Sequence, residues 1–162
     1  MKHNNHHCGW VIVLSFIIAL ILTIVPLSES FAPARPEFAA LFLIYWNMAL
    51  PHRVGVGVGW TLGLFVDVIT DSLLGMHALS FSVVSFLTLK LYQRVRVFPL
   101  WQQALTVLVL IGMNQLLILW VRGIIGTQPQ NWSYWLASLT SMVIWPLVFI
   151  VMRHFRRRFQ VR

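Results

Sequence analysis

The chain has 162 residues, of which 59% are apolar and 10% are charged, whereas a soluble domain carries about a quarter charged residues. Its formal net charge is +8, which in a polar chain would suggest nucleic-acid binding. Because so apolar a chain offers little polar surface for phosphates, we expect an integral membrane protein that binds no nucleic acid. The single cysteine, Cys8, excludes an internal disulfide framework and a four-cysteine metal site.

Apolar runs separated by prolines, glycines and charged residues predict an all-α protein with six transmembrane helices in one compact bundle. A helix needs about 20 residues to cross the hydrocarbon core, so the length leaves no room for a large extramembrane domain. The predicted spans are residues 10–27, 37–50, 54–70, 74–91, 100–121 and 134–152, and a basic cytoplasmic tail follows at 153–162.

Two of these spans have competing interpretations. The first run follows Lys2 and precedes the small residues 32–34, so a cleaved signal peptide is the alternative to a membrane helix. The run is longer than the usual apolar region of about 7 to 15 residues in a signal peptide, which favours the membrane helix. The second run is short, and its fusion with the third run into one kinked unit is the alternative to two separate spans.

The basic residues predict the orientation in the membrane. If the N-terminus is cytoplasmic, alternating loops place ten of the twelve basic residues inside and leave only Arg35 and Arg122 outside. The positive-inside rule expects this distribution, and it predicts that both termini are cytoplasmic. All four acids lie toward the outer side. The residues predicted to be inside are Lys2, Arg53, Lys90, Arg94, Arg96, Arg153, Arg156, Arg157, Arg158 and Arg162.

Glycines recur every four residues in the third span, at Gly55, Gly59 and Gly63. This spacing lets a neighbouring membrane helix approach closely, and it does not match a dinucleotide-binding loop. One further step of four reaches Asp67, and a carboxylate inside a span generally faces a cavity or a partner. Asp67 is therefore the best single functional candidate. The alternatives for it are pairing with one of the two outer arginines, contact with a partner or an inner cavity, and ligand or proton handling.

Two amide side chains, Asn114 and Gln115, lie near the middle of the fifth span. Hydrogen bonds from such amides join membrane helices, and each contributes typically about 0.6 to 2 kcal/mol to helix association. We therefore predict helix packing or partner contact for both. A lone histidine near the start of the fourth span, His77, is expected to be packed. The sequence contains no nucleophile with an evident base, no zinc-binding motif and no phosphate loop, so we expect neither an enzyme nor a cofactor.

Four arginines follow the last span, at positions 153, 156, 157 and 158. Basic residues near the membrane surface attract anionic lipid at about 1 kcal/mol each, so this group is predicted to contact lipid or a cytoplasmic partner. The N-terminal His3 to Cys8 tract is capable of metal binding, but without a second cluster we expect a solvated tail and no metal site.

Several segments in order along the chain resemble the rod shape-determining protein family MreD of Gram-negative bacteria. They are residues 45–54 (YWNMALPHRV), 63–67 (GLFVD), 74–76 (LGM), 100–105 (LWQQAL) and 145–146 (WP), with a basic segment after the last. The resemblance covers essentially the whole chain apart from the His3 to Cys8 tract.

The resemblance implies a small, non-catalytic inner-membrane component of the cell-elongation machinery. Its implied partners are MreC, the actin-like MreB filament, and RodA with its penicillin-binding transpeptidase. Its implied role is to link the cytoplasmic filament to lateral peptidoglycan synthesis. The family is also similar in fold to the substrate-binding subunits of energy-coupling factor transporters, which are six-helix bundles. A small-molecule-binding transporter subunit is therefore the alternative function.

The predicted orientation can be tested with reporter fusions. A fluorescent protein fused to the C-terminus is expected to fluoresce, and alkaline phosphatase at the same place is expected to be inactive, because the C-terminus stays in the cytoplasm. Fusions after Thr127, which lies in a predicted outer loop, are expected to give the reverse pattern. Active phosphatase at the C-terminus would overturn this topology.

Overall fold

Six α-helices form the bundle in the computed structural model, which describes residues 9–127, 129 and 131–159. The expected all-helical class is confirmed, and these residues contain no strand. Lys2, the His3 to Cys8 tract and Arg162 lie outside the described residues. The helices are α1 (Gly9–Ile24), α2 (Phe38–Ala49), α3 (Val56–Ile69), α4 (Met76–Val95), α5 (Leu100–Ile125) and α6 (Leu136–Arg158), with 3₁₀ turns at Ala32–Ala34 and Trp132–Trp135.

The helix ends differ from the predicted spans by three or more residues in four places, one of which is α5, which continues to Ile125 beyond the predicted end at residue 121. α1 ends at Ile24, since a residue that precedes a proline, here Pro26, avoids helical geometry. α4 continues to Val95, beyond the predicted end at residue 91. α6 continues to Arg158, so the basic residues expected as a tail from 153 onward begin as the last turns of a helix. Cations are favourable there because the C-terminal end of a helix carries partial negative charge.

α2 lies at the centre of the bundle. Every residue from Ala39 to Met48 is buried, and the helix contacts α1, α4 and α6. Its 12 residues extend only about 18 Å at 1.5 Å per residue, less than the hydrocarbon thickness of about 30 Å. Because neighbouring helices surround α2, contact with lipid does not set its length.

Two buried polar side chains connect α2 to the helices beside it. Trp46 donates a hydrogen bond from Nε1 to Oγ of Ser15 in α1, at 2.7 Å. Asn47 donates from Nδ2 to Oγ of Ser85 in α4, at 3.0 Å. α1 is thus packed into the bundle, with Phe16 and Ala19 among its buried side chains.

The outward faces of the helices carry large apolar side chains. Ile17, Val109 and Val143 are 46%, 68% and 76% exposed, respectively. Exposed large apolar side chains occur on all five helices around α2, whereas soluble monomers rarely expose extended apolar surface. By length and composition, α5 and the continuous stretch Trp132–Arg158 could each cross a membrane, whereas α1 and α3 are apolar but shorter. The number of spans and their orientation stay predictions.

α3 and α4 form an antiparallel hairpin whose backbones touch at two glycines. A Cβ added to Gly63 would lie 2.4 Å from Cα of Ala78, and one added to Gly59 would lie 2.3 Å from Oγ of Ser85. Real Cβ atoms essentially never approach so closely. Gly55 requires a correction, because it is the N-cap of α3 and an added Cβ would meet nothing within 4 Å. It precedes the helix and takes no part in this contact.

The close approach predicts a difference between two glycines of the same helix. Gly63→Ala is expected to lower the free energy of unfolding by about 1–3 kcal/mol, because the added methyl group overpacks the contact with α4. Gly57 has open space around it, so Gly57→Ala is expected to be neutral or to stabilise by up to about 1 kcal/mol through helix propensity. Thermal unfolding in detergent measures both variants, and equal losses would contradict the contact.

Candidate functional site

Asp67 lies near the end of α3, is only 1% exposed, and accepts hydrogen bonds from the start of α4. Its Oδ2 accepts from the backbone N–H groups of Gly75 at 2.8 Å and Ala78 at 3.4 Å. Its Oδ1 accepts from the N–H of His77 at 2.9 Å. The first N–H groups of a helix have no partner within that helix, and Gly75, the N-cap of α4, has no side chain to supply one. Asp67 therefore caps α4 from the neighbouring helix.

Two side chains complete the Asp67 cluster. Ser72 donates from Oγ to Oδ1 of Asp67 at 2.9 Å, and Nδ1 of His77 lies 2.8 Å from the same oxygen. The intervening turn contains two residues in the left-handed region, Asp71 with φ of 50° and Gly75 with φ of 98°. Because the Asp67 carboxylate bonds to groups within and after this turn, it fixes the geometry of the α3–α4 connection.

The two outer arginines are not partners of Asp67. Arg35 donates to the carbonyl oxygens of Thr23 and Val25, at the end of α1, where carbonyl groups lack helical partners. Across the part of the chain that the structure describes, the single ion pair joins Asp67 to His77, an interaction with full charge only when the histidine is protonated. His77, expected from the sequence to be a packed residue, thus forms a pairing that the sequence did not predict.

A second polar cluster joins α2, α4, α5 and α6. The carboxylate of Glu37, the N-cap of α2, accepts a hydrogen bond from Nδ2 of Asn114. Ser80 donates from Oγ to Oδ1 of Asn114, and the backbone N–H of Glu37 donates to Oγ of Ser141 at 3.1 Å. Asn114 thus contacts two other helices through one amide. Glu37 was expected only to be one of the outer acids, although its position just before an apolar run signals a helix start.

Gln115 ties α5 to the turn that precedes α6. Its Nε2 donates to the carbonyl of Tyr134 at 3.1 Å, and the hydroxyl of Tyr134 donates to the carbonyl of Gln115 at 3.2 Å. The Oε1 atom of this buried amide has no hydrogen-bond partner among the described residues. The amide cannot be turned over without placing its oxygen against the Tyr134 carbonyl, because both atoms are acceptors.

A cavity of about 240 Å³ lies between the two clusters and the end of α1. We call it the outer cavity, because it lies at the end of the bundle predicted to be extracytoplasmic. Apolar residues such as Ala40, Val66 and Phe81 form part of its wall. The titratable and amide side chains that line it are Arg35, Glu37, His77, Gln115 and Tyr134.

The four arginines predicted as one group lie in two different environments at the opposite end of the bundle. Arg153 and Arg156 line a cavity of about 190 Å³ together with Arg96 from the end of α4. Arg157 and Arg158 are exposed on the last turn of α6. The structure therefore brings basic residues from two helices together around one concave surface.

Residues 5–155 match the family model of the rod shape-determining protein MreD. The chain belongs to the MreD family. It is also 36% identical over 150 residues to a Haemophilus influenzae protein named Rod shape-determining protein MreD, an alignment that covers 92% of this chain and 93% of the relative. No solved structure matches the chain. As a member of the MreD family, the chain is a rod shape-determining membrane protein, a structural component and not an enzyme.

The capping role of Asp67 can be tested against a neighbouring exposed acid. Asp67→Asn is expected to lower the free energy of unfolding by about 1–3 kcal/mol, because the amide leaves buried donors of α4 without an acceptor. Asp71→Asn, at an exposed position, is expected to change it by no more than about 0.5 kcal/mol. Hydrogen exchange at the amides of Gly75 and His77 should quicken only in the first variant. Unchanged exchange there would contradict the capping role.

Proposed function

We propose that this MreD protein is a multi-pass scaffold of the bacterial inner membrane that links the MreB cytoskeleton and MreC to lateral peptidoglycan synthesis. Its further partners in this proposal are RodA and its penicillin-binding transpeptidase. The single observation that carries the proposal is the family match, which extends over residues 5–155. The role is positional, because the chain would hold partners in place without changing a substrate.

The distribution of polar and apolar groups supports a scaffold. The Asp67 and Glu37 clusters bond mainly to groups of the same bundle, which stiffens it. The exposed faces are apolar, with Val68 and Val109 each more than two-thirds exposed. Membrane helices associate through van der Waals packing of such faces. A rigid bundle with apolar outer faces is suited to bind the membrane helices of MreC and RodA.

The arginine-lined end supports a cytoplasmic contact. Arg96, Arg153 and Arg156 surround one cavity, and Arg157 and Arg158 extend the positive surface. Such a surface attracts anionic lipid headgroups and acidic protein surfaces. We propose that it holds this end at the inner leaflet and contributes to contact with the MreB system.

The transporter alternative receives less support. The relative's name describes cell shape and does not mention transport. We therefore retain the scaffold as the proposed function.

Depletion and complementation test the scaffold proposal. In rod-shaped Gram-negative cells depleted of their own MreD, this chain is expected to restore a normal cell width and to copurify with MreC. Two double variants provide a matched comparison. The first pair of substitutions, Arg153→Gln with Arg156→Gln, changes the cavity arginines, and the second pair, Arg157→Gln with Arg158→Gln, changes the exposed ones. We expect the first pair to widen cells more, because its side chains act together at one concave surface. Cells that stay rod-shaped after full depletion, without any MreD, would overturn the proposal.

A further inference from the structure

We propose that the outer cavity binds one ammonium or guanidinium group, and that a lysine or arginine side chain of a membrane partner supplies it. The binding chemistry follows from the cavity itself. The source of the cation depends on the proposed scaffold function, so separate experiments test the binding site and the source.

Glu37 places a carboxylate at the cavity that is not paired with a cation among the described residues. Glu37 lines the cavity, and its carboxylate accepts a hydrogen bond from Asn114. Within residues 9–127 and 131–159 it forms no ion pair, because the one pair present joins Asp67 to His77. A carboxylate in a low-dielectric site is stabilised by a cation or further hydrogen-bond donors. Asn114 donates one hydrogen bond and the Gln115 side chain also acts on this carboxylate, but a carboxylate has about four acceptor positions and so retains capacity for a further donor at the cavity.

The second observation is independent of the first and concerns Gln115. This side chain is 1% exposed, lines the same cavity, and has an Oε1 atom without a hydrogen-bond partner in the described part of the chain. Buried polar atoms nearly always have partners, so an orphaned acceptor at a cavity wall indicates a donor that enters from outside. Glu37 and Gln115 therefore both offer acceptors to the same ligand.

The cationic side chains that line the cavity are already committed, and Arg122, whose charge acts on Glu37 from nearby, forms no ion pair in the described part of the chain. Arg35 donates to two carbonyl oxygens at the end of α1, and the ring of His77 contacts Asp67. The cavity thus needs an external donor group. An ammonium carries three donors and a guanidinium carries five, without any acceptor, so either group suits a pair of acceptors.

The shape of the cavity indicates a side chain as the source. Its wall combines the two acceptors with apolar residues such as Val66 and Phe81. Lysine and arginine have this same division, with an apolar stem and a charged head. A volume of about 240 Å³ admits one such side chain. A scaffold that binds membrane proteins would meet such a side chain on a partner.

Binding of the chemical group can be measured on the purified chain in lipid nanodiscs. The probes are n-butylammonium and n-propylguanidinium, and n-butanol is the uncharged control. A ligand that binds only the folded state raises the unfolding temperature, so both cations are expected to give a saturable rise that n-butanol does not give. We expect Glu37→Gln, which keeps the size of the side chain, to raise the half-saturating concentration at least tenfold, and Glu29→Gln, at an exposed acid, to leave it unchanged.

A second pair of variants separates the role of the orphaned oxygen from general destabilisation. Gln103 and Gln115 are both buried amides of α5 with an unpartnered Oε1, but Gln103 lines the cavity at the other end. We expect Gln115→Leu to weaken butylammonium binding at least tenfold and Gln103→Leu to leave it unchanged. Equal effects of the two variants, or equal stabilisation by n-butanol, would overturn the binding site.

A crosslinking experiment in cells tests the source of the cation. Phe31 is 68% exposed and precedes Ala32 and Pro33 of the cavity wall, so benzoylphenylalanine can replace it conservatively. We expect a crosslink to a lysine- or arginine-containing segment of another membrane protein, which Glu37→Gln abolishes and Glu29→Gln preserves. A crosslink that persists in Glu37→Gln, or amine binding without any crosslink, would overturn the partner side chain as the source.

Cell width distinguishes failure of this inference from failure of the proposed function. One outcome is that the unaltered chain restores the width of depleted cells and that Glu37→Gln restores it equally while failing to bind amines. The scaffold proposal is then supported, and the proposed partner contact through this cavity is wrong. If the unaltered chain does not restore width, the scaffold proposal falls. The nanodisc measurement reports on the binding site in both cases.

Discussion

The hydrogen bonds from the first turn of α4 to the buried Asp67 carboxylate set the register of the α3–α4 hairpin. With that register, Gly63 faces the backbone of Ala78, and the two helices approach to a distance that a larger residue would prevent. The same placement of α4 directs Ser85 to Asn47 of the central helix and Ser80 to Asn114 of α5. One capping interaction therefore connects to the contacts that α4 makes with α2 and α5.

The two ends of the bundle differ in chemistry. At the end predicted to be outside, Glu37, Asp67 and their amide, hydroxyl and imidazole partners form hydrogen bonds within the bundle around a small cavity. At the opposite end, Arg96, Arg153 and Arg156 surround a cavity near the positive surface of the last α6 turn. Internal polar contacts thus hold the helices together at one end, whereas charge remains available for lipid or partners at the other.

Part of this architecture follows from the sequence because it depends on local signals. Apolar runs between prolines and glycines located the helices, and the four-residue spacing selected Gly59 and Gly63, which lie against α4. The same spacing wrongly included Gly55, because it does not reveal where the helix begins. The partners of Asp67 and the role of Glu37 were missed, since they depend on which helix ends meet in space. Arg35 and His77 both lie near the end of the bundle predicted to be outside. The sequence does not show which of them contacts the Asp67 carboxylate, and in the fold it is His77.

The complete enclosure of α2 has a consequence for how the protein is assembled. The indole N–H of Trp46 donates to α1, and the amide N–H of Asn47 donates to α4, so these two donors have acceptors only when helices from both sides of α2 in the chain are in place. Lipid offers neither a donor nor an acceptor in the meantime. The full set of hydrogen bonds around α2 can therefore form only after α4 has been synthesised and has packed against it.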